Sequence, residues 1–197
     1  MAGNSDSRKL NDWDCQEKTA FETYGDKVVA MSPPPEIQHI NIAGNVYTIL
    51  KNYLKGKRCK AFPDGTELFL GKEFKFRPDV MVVCDRNKIQ SNGIHGAPDL
   101  VVEVLSPSTQ KRDKTIKKDA YEKYAVKEYW IVSGKEKSIE AYHLNDGRFV
   151  LDNVYSVYPD WQWEEMTEEE KSEAQLFLKV SLYDDFVIDI REIFDDI

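Results

Sequence analysis

The sequence predicts an α/β (α+β) domain in which a mixed central sheet is flanked by helices. Three stretches carry that expectation. A strand, a helix and a strand between Leu100 and Val132 have the size of a right-handed crossover joining parallel strands. An amphipathic helix is expected over Glu36–Leu54, where Ile40, Ala43, Tyr47, Leu50 and Leu54 keep three-four spacing. A hairpin is expected from Ser138–Leu144 and Arg148–Tyr155, turning at Asn145-Asp146-Gly147. There is no internal repeat and no sign of a second domain. The expected organisation is a loose polar extension over residues 1–15 and one domain over 16–197.

In chain order, Gln16–Tyr24 reads as a short helix and Lys27–Met31 as a strand stopped by Pro33-Pro34-Pro35. After the long helix, Lys55–Arg58 places basic residues at its negative end. Phe62, Thr66–Leu70 and Lys72–Phe76 suggest short strands with a turn at Gly71-Lys72. They lead into Val80–Val83, an apolar strand opened by Pro78-Asp79. Asp85–Ala97 reads as a polar loop; its Lys88 and His95 could touch substrate, although loop polarity alone would supply them. Ser106–Thr109 is a turn, Asp113–Ala125 a helix and Glu128–Val132 a strand. Trp161 and Trp163 are expected to pack at an edge or a subunit contact. Glu164–Ser172 is an acidic, solvated patch, and the last strand and short helix come from Phe186–Phe194.

The candidate chemistry begins at Glu103. Leu100–Leu105 is an apolar run of the kind found in strands covered on both faces, with Glu103 in its middle. Alternation puts Val101, Glu103 and Leu105 on one face and Leu100, Val102 and Val104 on the other. A carboxylate there needs a partner, because desolvating it alone is costly. On the following helix Ile116, Ala120, Tyr121 and Tyr124 form the apolar face, and Lys117 falls near its middle. A lysine inside an apolar stripe is expected to reach toward a carboxylate. Asp79, at the end of the neighbouring apolar strand, completes the group. Two carboxylates supply hard oxygen ligands for Mg²⁺, and a nearby ammonium can orient water or stabilise a charged phosphate.

These residues resemble the PD-(D/E)xK nuclease superfamily and, within it, the Uma-type family of restriction-endonuclease-like proteins. The resemblance rests on FETYGDKVVAMSPPP, PDVMVVCD, GAPDLVVEVLSPST, KKDAYEKYAVKEYW and SLYDDFVIDIREIF, and covers roughly residues 16–197. It implies a restriction-endonuclease-like fold and a metal-dependent endonuclease using Mg²⁺, with Mn²⁺ as a substitute. Asp79 and Glu103 would be the metal ligands, with the Val104 carbonyl as a further one, and Lys117 the third catalytic residue. Glu22, His39 and Tyr121 would support them, Tyr121 by fixing the lysine. The superfamily lysine two positions after Glu103 is Leu105 here; in the Uma-type pattern it has moved to the helix, four residues before a tyrosine, which fits Lys117 and Tyr121. Ala125 and Ser133 stand where that family usually has Gly and Asp, and read as changes of turn or packing.

Bulk properties bound the reading. The net charge of −8 is lodged in the C-terminal part: 160–197 holds 13 acidic and 3 basic residues, leaving 22 acidic against 24 basic before it. Lys111, Arg112, Lys114, Lys117 and Lys118 make a basic cluster beside the expected site, so charge neither requires nor excludes a DNA substrate. No apolar run approaches a membrane span, and three cysteines, Cys15, Cys59 and Cys84, suggest reduced thiols in the cytoplasm. A homodimer is the form that nucleases cutting both strands often use. Alternatives to the nuclease are a catalytically inactive module of the same fold binding nucleic acid or protein, and a metal-dependent hydrolase of another phosphate ester. Asp79 could equally cap a turn, and Glu103 with Lys117 could form a purely structural ion pair.

Overall fold

The computed structural model describes residues 21–30 and 35–197. The expected extension over residues 1–15, the first part of the expected N-terminal helix and Cys15 lie outside the described residues.

The chain opens with a hairpin, β1 (Phe21–Tyr24) and β2 (Lys27–Ala30), pairing Tyr24 with Lys27. The described part of the expected helix over 16–24 is therefore a strand. Gly25, at φ 61°, accepts the left-handed turn that closes the hairpin, and β1 gains a second partner further along the chain. Helix α1 (Ile37–Tyr53) follows, burying Ile42, Val46 and Leu50. Of the expected stripe, Leu50 and Leu54 are in the core and Ala43 and Tyr47 pack partly against it, while Ile40 is 53 % exposed and Ile42 and Val46 take the inner positions.

Four short strands come next: β3 (Lys60–Pro63), β4 (Leu68–Leu70), β5 (Phe74–Phe76) and β6 (Val80–Val83). The expected loop over 85–97 is more ordered than its polarity suggests. It contains a 3₁₀ turn over Arg86–Lys88 and a small hairpin of β7 (Ile89–Gln90) and β8 (Gly93–His95). Then come β9 (Leu100–Val104), α2 (Gln110–Arg112), a π-helical turn (Asp113–Lys117), α3 (Lys118–Lys123) and β10 (Glu128–Ser133). The helical segment thus starts three residues before the expected Asp113 and carries an inserted π turn, leaving Ile116 44 % exposed rather than on the inner face. It ends in the expected region, with Ala125 at φ 61°.

The expected hairpin is β11 (Ser138–Asn145) and β12 (Arg148–Ser156). Its two-residue turn holds Asp146 and Gly147 at φ 48° and 78°, the handedness that tight hairpins favour. Beyond it lie α4 (Asp160–Glu165), α5 (Glu168–Glu173), β13 (Phe177–Lys179), β14 (Val187–Asp189) and α6 (Ile190–Ile193). Helix α5 starts with a reciprocal capping box between Thr167 and Glu170, which stabilises an otherwise apolar-poor acidic stretch. Trp163 leans on Tyr158, whereas Trp161 is 63 % exposed.

Among the described residues there are two main sheets, the first of them the expected mixed sheet. The first runs β12-β11-β10-β9-β6-β3, with β9 and β10 parallel and the other neighbours antiparallel. The second runs β2-β1-β5-β4-β8-β7. Strand β9 is buried on both faces, and its alternation decides which core each residue joins. Leu100, Val102 and Val104 pack with the inner stripe of α1 and with Ile190 and Ile193 of α6. Val101 packs with Tyr121, Tyr129 and the second sheet's Leu68, Leu70 and Phe76. Each fully buried aliphatic side chain contributes about 1.5–3 kcal/mol, so the sheet is pinned from both sides.

Cys59 and Cys84 form a disulfide, which corrects the expectation of reduced thiols. They flank the paired residues Lys60 and Val83 of β3 and β6. Cysteine spacing carries no information about that strand pairing.

Candidate functional site

The site is built where β6 begins and β9 ends. The two strands are antiparallel neighbours with Val80 opposite Val102, so Asp79, just before β6, stands beside Glu103 and Val104. Asp79 Oδ2 accepts the backbone N–H of Val104 at 2.6 Å. Its Oδ1 lies 3.0 Å from His39 Nε2, on the first turn of α1. Val104, expected to offer its carbonyl, thus uses its N–H to hold the Asp79 carboxylate. His39 is mostly buried and its Nδ1 has no hydrogen-bond partner among the described residues. Burial pushes the imidazole's pKa down, but the hydrogen bond and charge of Asp79 outweigh it, and the net shift is upward.

Glu103 is held from the other side. Lys117 Nζ donates to its Oε2 at 3.0 Å and Tyr121 Oη to its Oε1 at 2.7 Å. The same ammonium lies 3.2 Å from Asp113 Oδ1 and 3.4 Å from Glu22 Oε1. Glu22, on β1, also accepts the Tyr24 hydroxyl and the Arg77 backbone N–H. Asp113 and Lys117 bound the π turn and are both buried, and Tyr121 follows one turn later. A π turn inside a helix is a frequent companion of functional sites.

Three carboxylates therefore surround one ammonium, with Asp79 close by and Arg77 and Arg112 lining the same cavity. Burial pushes the Glu103 carboxyl well above the usual carboxylate range; Lys117 opposes this, while Asp113, Asp79 and Glu22 add to it. Asp113 is raised for the same first reason, against the pull of Lys117 and a hydrogen bond from Thr109. Burial alone would lower the lysine, but Glu103, Asp113 and Glu22 hold it well above its ordinary value, so it stays an ammonium. Tyr121 is pushed well up by burial and by the Glu103 charge, and remains a phenol that donates.

A cavity of about 330 Å³ opens here, lined by Glu22, His39, Asp79, Glu103 and Lys117 and also by Arg112. A smaller one of about 190 Å³, beside Tyr47, shares His39 and Asp79 with it. The residues picked from the sequence, Glu22, His39, Asp79, Glu103, Val104, Lys117 and Tyr121, are thus brought together in one neighbourhood. Sequence reasoning missed Asp113, although its position four residues before Lys117 was a usable signal. Lys88 and His95 serve their own loop: Lys88 Nζ donates to the Ala97 carbonyl, and His95 bonds Asn92 and stacks on Phe69. Of the basic cluster, Lys114 pairs with Glu140 and Lys118 lies over the Tyr142 ring.

The donor chemistry suits a hard divalent cation. Asp79 and Glu103 offer carboxylate oxygens, the hard donors that such a cation takes. Among the described residues no three His, Cys, Asp or Glu side chains already converge as cation ligands. Lys117 takes the point where Glu22, Glu103 and Asp113 meet.

Comparison with known proteins agrees with this architecture. A crystal structure of a nuclease of the DUF820 group from Anabaena variabilis, described as putative, matches with a TM-score of 0.66 at 20 % identity, covering 89 % of this chain and 90 % of that one. At that identity the likeness is one of fold. An uncharacterised protein of Synechocystis sp. is 29 % identical over 136 residues, 68 % of this chain and 71 % of its own length. No helix among the described residues is long and apolar enough to cross a membrane. The Uma2 family model, described as "Putative restriction endonuclease", matches residues 8–178, and the chain belongs to that family.

Proposed function

We propose that this protein is a metal-dependent endonuclease that hydrolyses DNA phosphodiester bonds at the site formed by Asp79, Glu103 and Lys117. The observation that carries the reading is the meeting of a buried ammonium with surplus carboxylates beside an open cavity. Asp79 and Glu103 would hold Mg²⁺ or Mn²⁺. When bound, the cation supplies Lewis-acid stabilisation at the phosphate and a more acidic water.

The chain's own residues do the rest. His39 and the Val104 N–H fix Asp79; Tyr121 fixes Glu103. Lys117, kept protonated, cannot take a proton from water. It acts as a hydrogen-bond donor that orients the attacking water or stabilises charge on a phosphate oxygen. Glu22 lends negative charge from β1. Cutting both strands of a duplex would use two copies of the site, which a homodimer supplies; light scattering in solution tests this. A cytoplasmic location suits a DNA substrate, and cell fractionation tests it.

The decisive assay is plasmid nicking with Mg²⁺ or Mn²⁺. Asp79→Ala, Glu103→Ala and Lys117→Ala should each lose at least about 100-fold in rate, and Lys118→Ala should retain it. Metal-independent cleavage, or unchanged cleavage by folded Lys117→Ala, would remove the assignment. No cleavage and no carboxylate-dependent metal binding by the native chain would favour a binding module of the same fold.

A further inference from the structure

Lys117 has three N–H donors and three carboxylate neighbours, each from a different segment: Glu22 from β1, Glu103 from β9 and Asp113 from its own helical segment. The three are not equivalent. Glu103 divides itself between Lys117 and Tyr121, and in the proposed nuclease it also serves the cation. Glu22 is the most distant, at 3.4 Å, and already accepts from Tyr24 and Arg77. Asp113 differs from both. Its residue is 1 % exposed, and its Oδ1, 3.2 Å from the ammonium, has no aligned hydrogen bond to any described residue. Leaving a buried carboxylate oxygen in that condition is costly unless the nearby charge compensates it.

Asp113 is also the neighbour that moves with the lysine. Both lie in the π turn, and the turn is tied to the sheet because the Asp113 carbonyl accepts the Tyr129 hydroxyl at 3.1 Å. Resting on the nuclease reading, we propose that Asp113 is the positioning residue for Lys117, keeping its ammonium at the site while Glu103 is engaged with the cation. Asp113 touches neither substrate nor metal; it acts through Lys117.

The test uses the full-length chain with ¹⁵N in its lysine side chains. A buried, ion-paired ammonium exchanges slowly with water and gives a resolved signal, assigned by its loss in Lys117→Arg. In Asp113→Asn, which keeps the shape of the side chain, that signal should broaden or exchange at least about 10-fold faster, a factor equal to about 1.4 kcal/mol of lost hold. In plasmid cleavage the same variant should lose about 100-fold in kcat, the scale of a misplacement of about 1 Å, with KM nearly unchanged. Asp113→Glu should recover part of both. An unmoved ammonium signal in folded Asp113→Asn overturns the proposal whatever the nuclease result. A changed signal with native kcat overturns it too. If the signal changes and the native chain cuts no DNA, the hold on Lys117 stands and the nuclease reading is what fails.

Discussion

Glu103 Oε2 and Lys117 Nζ meet at 3.0 Å inside the fold, one from a strand covered on both faces and the other from a helix that begins after it. Neither charge is in water. Removing one partner strands the other, so the pair couples the site to the stability of the whole domain.

Lys117→Met should therefore destabilise by about 3–5 kcal/mol, the range for removing one member of a buried pair. Adding Glu103→Gln should recover part of that loss, because the neutral amide no longer needs the ammonium. Urea unfolding of the native, single and double variants reads this. A double variant whose loss equals the sum of the two single losses would show that the pair is not coupled.

Tyr121→Phe removes the donor to Glu103 Oε1 and leaves a buried oxygen without it. The expected cost is about 1–3 kcal/mol. Cleavage should fall as well, since Glu103 is then fixed only by Lys117. A variant as stable as the native chain would mean that solvent reaches Glu103.

How much of this was readable beforehand depends on the distance over which each fact is decided. Lys117 stood out because a lysine in an apolar stripe violates a local pattern, and Glu103 because a carboxylate interrupts a run of valines. The β11–β12 hairpin was legible in three residues of turn. The approach of Asp79 to Glu103 is set by the register of β6 against β9, which no spacing encodes. The second sheet, the strand at Phe21–Tyr24 and the Cys59–Cys84 bridge likewise depend on pairings far apart in the chain. Ile40 and Ile116 lie outside the inner faces because tertiary packing and a π turn rotated the stripes that periodicity alone suggested.

Ala125 ends the helical segment in the left-handed region, its N–H donating to Glu122 O while Val126 N–H closes back to Tyr121 O. This is the position where helices favour glycine. Ala125→Gly should stabilise by about 0.5–1 kcal/mol, the relief of backbone strain less the extra freedom of an unfolded glycine. A lower thermal midpoint in the variant would contradict this.

The disulfide closes a loop with a sequence separation of 25 residues. Chain-entropy arguments put its contribution at about 3.5 kcal/mol. Cys84→Ser, or treatment of the native chain with a dithiol reductant, should lower stability by that order. If the reductant leaves the urea midpoint unmoved while thiol labelling shows two new free thiols, the bridge does not stabilise the fold.

His143 lies 3.5 Å from Glu128 and 3.8 Å from Asp152, within reach of both carboxylates. Its pKa is raised on folding by Glu128 first, against partial burial. The resulting stabilisation is complete below the unfolded value, about 6.5, and is lost as pH rises through the folded value. Thermal midpoints between about pH 5.5 and 8 should show the native chain losing its advantage over His143→Gln as pH rises. Parallel curves would exclude the coupling.

The register that sets Val80 against Val102 has a temporal consequence. During synthesis Asp79 leaves the ribosome first, Glu103 follows, and Lys117 emerges later still, yet the carboxylates meet only once β6 and β9 have paired. Contacts between distant segments form slowly compared with a helix turn. A nascent or truncated chain ending before the helical segment thus carries both acids without the Lys117 ammonium, and the proposed site would be assembled only in a finished domain.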